Sequence, residues 1–242
     1  MTNWLALGGR KVVVAGGGGT IGTAVVNGFV EAGSDVAVID LEPIARPQPS
    51  FVADLRDPKV TRKAVEDAQA ALGGIDVFVH CAGINNRKGI EEYCAAEWDD
   101  ILKLNLSSVF HSAQAALRPM RAQRYGRLIF FSSVSGRSGH KHHGPYAATK
   151  GGINQLTKVI ANEYAPLGIT ANAIAPGYME TALTTEYFVQ NPEKKMELLR
   201  LIPAQRFGRV HEVVDPVLFL ASDRASFITG QVIYVDGGRT VV

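Results

Sequence analysis

The sequence predicts an α/β fold in which a parallel sheet is wound on both sides by helices. Three observations predict it. Short β-branched runs alternate with longer amphipathic stretches six or seven times along the chain, as βαβ units require. A run of four glycines, Gly16 to Gly19, falls where the first β-branched run ends. The 242 residues are 46% hydrophobic, enough for a sizeable core, and the length admits one large domain or two small ones.

Each element follows from local chemistry. Lys11 to Ala15 (KVVVA) reads as a fully buried strand, after which Ile21, Ala24, Val25, Phe29 and Val30 recur at helical spacing until Gly33. Val36 to Asp40 is a second strand. The stretch with Pro43, Pro47 and Pro49 that follows can hold no helix. A third short strand lies near Phe51 and Val52. Asp57 caps, and Pro58 opens, a helix running to about Leu72 before Gly73 and Gly74. Asp76 to His80 is the fourth strand. Trp98 to about Arg124 is the longest helical pattern, closed by Gly126, and Arg127 to Ser132 is the fifth strand. A helix from Tyr146 to Tyr164 stops at Pro166 and Gly168, Thr170 to Ala175 is the sixth strand, and Val232 to Val235 the seventh. Between the last two lie helical stretches Thr181 to Gln190, Pro192 to Leu201 and His211 to Ala221. Pro216 inside the last predicts a kink or a late start.

Composition excludes several functions. With 25 Lys and Arg against 23 Asp and Glu, the formal charge is +2 and the pI about 8.5, below the range of nucleic-acid-binding domains. No apolar run approaches the ~18 residues of a membrane span, and no signal peptide opens the chain, so a soluble cytoplasmic protein is expected. Cys81 and Cys94 are too few for a disulfide framework and lack metal-finger spacing; both are read as buried thiols.

The glycine turn carries the first chemistry. Gly17, Gly19 and Gly22 match G-x-G-x-x-G, and Gly16 with Gly22 matches a wider dinucleotide-binding spacing. Glycines at a strand-to-helix turn let a pyrophosphate approach backbone N–H groups at the positive helix end. Asp40 ends the second strand 18 positions after Gly22, where a carboxylate can accept from both hydroxyls of an adenosine ribose. It would repel a 2′-phosphate, and Gly17 to Gly19 offer no compensating cation. NAD is therefore favoured over NADP, against which stands Arg46, able to fold back towards a phosphate. Asp54 can accept from the adenine amino group.

Tyr146 and Lys150, four residues apart, project from one helix face. An ammonium beside a phenol would lower the tyrosine pKa from about 10, as acid-base catalysis of alcohol oxidation requires. Ser133 follows the fifth strand, at the sheet end where active sites of such folds lie, and its hydroxyl can hold the substrate oxygen. Asn105 is polar in an apolar context (KLNLSSVF) and is read as holding a water in preference to merely satisfying backbone groups.

On these motifs the chain resembles the short-chain dehydrogenase/reductase family over nearly its whole length. The likeness rests on the glycine turn Gly16 to Gly22, Asp40, Asp54-Leu55, Ala82-Gly83, Asn105, Ser133, Tyr146 to Lys150, Pro176-Gly177 with Thr181, and Asp236-Gly237-Gly238. The resemblance implies a single Rossmann-type domain over residues 1–242, with a seven-stranded sheet and a small lid at about 181–201. It also implies a homotetramer built on the long helices. A catalytic tetrad of Asn105, Ser133, Tyr146 and Lys150 is implied, with Tyr146 exchanging the proton and Lys150 also binding the nicotinamide ribose. Gly16, Gly19, Thr20, Ile21, Gly22, Asp40, Asp54, Leu55, Ala82, Gly83, Pro176, Gly177, Met179 and Thr181 would border the cofactor. Ala15, Thr20 and His80-Cys81 depart from the family pattern, which puts local rigidity more than catalysis in doubt.

The substrate is read from charge. The loop between Ser133 and Tyr146 carries Arg137, His140, Lys141, His142 and His143, and Ala82-Gly83 is followed by Arg87 and Lys88. Arg87, Arg137 and His143, with Ser133 and Tyr146, are the substrate candidates, and converging cations suit an anionic small molecule. The histidines are not read as a metal site, because no acidic or cysteine ligand lies nearby. AGINNR, YAATKGGINQLTK and NAIAPGYMET are similar to the sugar-acid branch of the family, the gluconate 5-dehydrogenases and 2-deoxy-gluconate 3-dehydrogenases, and nearly as similar to 3-oxoacyl carrier-protein reductases. The leading expectation is NAD-linked oxidation of a secondary alcohol on a polyhydroxy acid. The alternatives are NADPH-linked reduction of a 3-oxoacyl thioester and, against the intact tetrad, an inactive nucleotide-binding scaffold.

Overall fold

A computed structural model describes residues 4–181 and 188–241. Seven strands form one parallel sheet in the order β3-β2-β1-β4-β5-β6-β7. They are β1 (Lys11–Ala15), β2 (Asp35–Asp40), β3 (Ser50–Val52), β4 (Val77–His80), β5 (Gly126–Phe131), β6 (Ile169–Pro176) and β7 (Val232–Val235). Both faces are covered, and successive residues of a strand feed opposite cores. Val13 and Ala15 of β1, with Phe78 and Phe130, pack against α2 (Pro58–Leu72), α4 (Ser108–Gln123) and α5 (Gly144–Tyr164). Val12 and Val14 pack on the other side with Val25 and Phe29 of α1 (Thr20–Glu31) and Val213, Val217 and Leu220 of a helix over His211–Ala221. This is the Rossmann-like architecture expected from the sequence.

The strand order reverses direction between β1 and β4, because the chain leaves β1 for β2 and β3 before returning to β4 on the other side. A crevice therefore opens beyond the carboxyl ends of β1 and β4, the usual place for a ligand in such sheets.

Helix α2 occupies the predicted span, with the Asp57 carboxylate accepting from the Lys59 and Val60 amides and Gly73 closing it at φ 73°. Three expectations need correction. The long helical pattern starts at α3 (Ala95–Leu102) and passes through a π turn, Lys103–Ser107, before α4. Its stop is Arg124 at φ 53°, while Gly126 is the first residue of β5, where a Cβ would meet Met120 Sδ at 2.5 Å. Pro216 lies inside a helix that starts at His211, so no late start occurs, and its ring leaves the Glu212 carbonyl without the amide donor four residues on. Of the two thiols, Cys81 is partly buried, but Cys94 is exposed at the N-cap of α3.

The Pro192–Leu199 helix, α6, forms as expected and the His211–Ala221 helix is α7. Leu198, Ile202 and Phe207 make a small third core with Tyr178 and Phe188, the Phe188 and Phe207 rings stacking at 5.0 Å. Most of the predicted Thr181 to Gln190 helix, residues 182–187, lies outside the described residues. Among the described residues no helix is long and apolar enough to cross a membrane.

Candidate active site

The turn after β1 is shaped by closeness. Gly16 has φ +78°, and a Cβ there would lie 2.4 Å from the Ala82 nitrogen beyond β4; one at Gly22 would lie 2.0 Å from the Gly16 carbonyl oxygen. Helix α1 begins at Thr20 with Gly19 as an N-cap that brings no side chain, and its first turn holds no acid. The amides at its N-terminus are thus left to an anionic ligand, in contrast to α2, where Asp57 occupies them.

Asp40 ends β2 over this turn. Its Oδ2 accepts from the Gly18 amide at 2.8 Å and its Oδ1 from the Leu41 amide at 2.8 Å, which fixes the carboxylate and leaves lone pairs facing the crevice. A Cβ on Gly18 would stand 3.0 Å from Oδ2. A cleft of about 240 Å³ is lined by Gly16, Gly19, Asp40, Asp54, Leu55, Ala82 and Gly83, which brings together these predicted cofactor residues. Asp54 is half spent on Arg56, which also donates to Asp100 at 2.6 Å. Arg56 and Ile84 line the cleft too, a placement that no sequence motif signals. The glycines, the uncapped helix end and Asp40 fit a dinucleotide.

On the far side of the sheet switch, Pro176 ends β6, and the Gly177 amide donates to the Val235 carbonyl at 2.9 Å. A Cβ on Gly177 would be 2.9 Å from Asp236 Cα. Met179 is buried, its Sδ and Cε at 2.9 Å from where a Gly208 Cβ would be. Thr181 is the last residue described before residue 188.

The tetrad residues meet between α4, β5 and α5. Lys150 is buried and its Nζ donates to the Phe131 carbonyl at 2.6 Å while lying 5.5 Å from the centroid of the Tyr146 ring. Burial pushes its ammonium down to about 8. Tyr146 sits in the first turn of α5, behind Pro145. Burial holds its phenol above the ordinary range, opposed by a hydrogen bond with the Ser133 hydroxyl and by the charge of Arg87. This differs from the expectation that Lys150 lowers it, because the ammonium is turned to Phe131 and the loss of solvent outweighs the nearby charges. Ser133 is buried and its Oγ also accepts from the Ser135 amide at 3.1 Å. Gly136 lets this turn lie on α5, since a Cβ would be 2.8 Å from the Lys150 carbonyl.

Asn105 stands in the π turn, fully buried. Its Oδ1 accepts from the Ile84 amide and its Nδ2 donates to the Ile84 carbonyl, each at 2.8 Å. The side chain therefore clamps the strand β4 exit that carries Ala82 and Gly83.

Among the substrate candidates, His143 lies 5.9 Å from the Tyr146 ring and 5.9 Å from His140, and Arg87 acts electrostatically on Tyr146, His140 and His143. The Arg137 guanidinium lies over Tyr234 of β7 at 5.5 Å. Burial and neighbouring cations hold both His140 and His143 below the ordinary histidine range. Arg239, which no sequence motif singles out, is among the charges acting on His140. The available signal is its place directly after Gly237 and Gly238. Among the described residues no three His, Cys, Asp or Glu side chains gather as a metal set.

Fold, cradle and tetrad define a nicotinamide-dependent oxidoreductase. The comparisons agree. A family model described as enoyl-(acyl carrier protein) reductase matches residues 16–240. A 3-oxoacyl-[acyl-carrier-protein] reductase of Escherichia coli is 34% identical over 232 residues, covering 96% of this chain and 91% of that protein. Gluconate 5-dehydrogenase of Gluconobacter oxydans is 33% identical over 248 residues, covering 98% and 96%. The structure of a gluconate 5-dehydrogenase from Burkholderia cenocepacia in complex with NADP and tartrate has a TM-score of 0.92 at 33% identity and covers 98% of both chains. The chain belongs to the short-chain dehydrogenase/reductase family and is an NAD(P)-dependent dehydrogenase.

Proposed function

We propose that the protein oxidises a secondary alcohol of a small polyhydroxy acid with NAD. The observation that carries this reading is Asp40, whose carboxylate is fixed in the cofactor cleft where a 2′-phosphate would meet it, beside glycines that bring no cation. The cationic mouth that Arg87 makes around Tyr146, with the His140 and His143 imidazoles beside it, supports an anionic substrate.

In this reading Ser133 Oγ and Tyr146 Oη hold the substrate hydroxyl, and the proton passes to Tyr146 Oη. Ser133 and Arg87 stabilise the phenolate when it forms. Lys150 binds the nicotinamide ribose and presents its charge under the Tyr146 ring. Asn105 keeps Ala82 and Gly83 against the glycine turn. A bound nicotinamide supplies the hydride acceptor. Assembly into a homotetramer through α4 and α5 belongs to the same proposal, supported by exposed Phe110 and Val159 along an apolar groove on those helices. So does a cytoplasmic location.

A second reading, NADPH-linked reduction of a 3-oxoacyl thioester, is favoured by Arg46, whose Nη1 is buried without a hydrogen-bond partner in the loop after β2, and by the Escherichia coli relative. The test is the absorbance of reduced nicotinamide with sugar acids, polyols and 3-hydroxyacyl thioesters, alongside Tyr146→Phe. The substitution is expected to abolish turnover and leave NADH binding within about twofold; an active variant would refute the role of Tyr146.

A further inference from the structure

After β7 the chain makes a turn whose carboxylate serves the turn itself. Asp236 Oδ1 accepts from the Gly238 amide at 2.9 Å, and Oδ2 accepts from the Thr240 amide at 2.8 Å and the Thr240 hydroxyl at 2.7 Å. Gly237 and Gly238 have φ of +62° and +87°, and Cβ atoms on them would lie 2.8 Å from Ile202 and 3.1 Å from Pro203. The turn is thus seated on the segment that follows the lid, and it presents Arg239.

Among the described residues Arg239 has no anion to meet. Its Nε is buried without a hydrogen-bond partner, and its guanidinium makes no ion pair with any of them. Asp236, the nearest acid in sequence, is committed to Thr240. A buried N–H left without an acceptor costs free energy until one arrives. By contrast Arg10 and Arg127 share Asp223, Arg56 holds Asp54 and Asp100, and Arg206 holds Glu212.

A second orphan nitrogen lies within reach of its charge. His140 Nε2 is buried without a partner, while Nδ1 lies 3.1 Å from Ser135 Oγ. Burial, and after it Arg239, His143 and Arg87, opposes a proton on His140, which favours the neutral ring. When Ser135 Oγ–H donates to Nδ1 the ring proton sits on Nε2, which then joins Arg239 Nε as a second buried donor without an acceptor. Two paths join this corner to the reacting groups. The Ser135 amide donates to Ser133 Oγ, and the His140 ring meets His143, which meets Tyr146.

We propose that Arg239, with His140 Nε2–H and Arg87, forms the subsite that holds the substrate's carboxylate while its carbinol reaches Ser133 and Tyr146. Arg239 is then the residue that makes this enzyme select acids, an inference that rests on the sugar-acid dehydrogenase reading. A guanidinium suits this task because it grips a carboxylate through two parallel N–H bonds.

The test needs no turnover. The complex with NADH is titrated with tartrate and with D-gluconate, followed by nicotinamide fluorescence, for the parent chain, Arg239→Gln and Arg239→Lys. Loss of a charge-assisted bidentate grip predicts at least about tenfold weaker carboxylate binding in Arg239→Gln, partial recovery in Arg239→Lys, and NADH affinity within about twofold in both. Equal carboxylate affinity in the parent and Arg239→Gln would overturn the proposal, and so would a parent complex that binds neither acid. Should Arg239→Gln not fold, Arg239→Lys decides through the same titration, with unchanged carboxylate affinity counting against the subsite. Failure of the sugar-acid reading shows separately, as absent turnover of every sugar acid while carboxylates still bind.

Discussion

Replacing Asp40 by Ala removes the carboxylate oxygens that cap the Gly18 and Leu41 amides in the cofactor cleft. The two amides face water in the variant and cost little. The larger loss comes with the dinucleotide, because the lone pairs left open on Asp40 are the proposed acceptors for two ribose hydroxyls. Hydrogen bonds to a charged acceptor contribute about 1.5 to 3 kcal/mol each, so two lost bonds, partly replaced by water, come to about 3 kcal/mol. That is about 100-fold in kcat/KM for NAD. For NADP the sign is opposite, since the carboxylate that would face the 2′-phosphate is gone. The NAD/NADP ratio of kcat/KM should therefore fall by at least about 100-fold, measured from initial rates of nicotinamide reduction at saturating alcohol. Asp40→Asn keeps the shape and one acceptor, so it should fall between. An unchanged ratio in Asp40→Ala would show that the cofactor's ribose is read elsewhere, with Arg46 the first place to look.

Two further substitutions test the frame around the site. Gly16→Ala forces a side chain into φ +78° with its Cβ 2.4 Å from the Ala82 nitrogen; it should destabilise by about 2 kcal/mol or more and weaken NADH binding, and a thermal midpoint equal to the parent's would contradict the packing. His80 is buried, its Nε2 3.1 Å from Ser108 Oγ, and burial beside Lys150 pushes it down to about 3. The unfolded chain binds a proton there below about pH 6.5 and the folded chain does not until about pH 3, so stability falls as pH drops through that window. The loss is no more than about 5 kcal/mol. His80→Asn, which cannot take the proton, should flatten the pH dependence of denaturant stability between pH 6.5 and 4; an unchanged slope would mean that His80 is not the group responsible.

Much of this frame is legible in the sequence because its signals are local. Strands buried on both faces must be nearly all apolar, which is why KVVVA and RLIFF stand out, and Asp57-Pro58 marks a helix start by its own capping chemistry. The π turn at Lys103–Ser107 is silent because one extra residue hardly disturbs a 3.6-residue period, yet it carries Asn105. Gly126 misleads because a glycine after a helix usually ends it, whereas here it yields space to Met120 and a non-glycine residue, Arg124, takes the left-handed turn. The tetrad is legible through spacing and resemblance. The balance of charge on Tyr146 is not, since it depends on where Lys150 Nζ points and on Arg87, 59 residues away in the chain. Arg239 is hidden for the same reason, as its relation to His140 exists only in the folded chain.

The decisive comparison sets two reactions side by side in one preparation: NAD-linked oxidation of D-gluconate and related sugar acids, and NADPH-linked reduction of a 3-oxoacyl thioester, each as kcat/KM from reduced-nicotinamide absorbance. The sugar acid with NAD is expected to be preferred, with that preference declining in Asp40→Ala. A larger kcat/KM for the thioester with NADPH would leave the fold and the tetrad standing and contradict the assignment of both Asp40 and the cationic mouth.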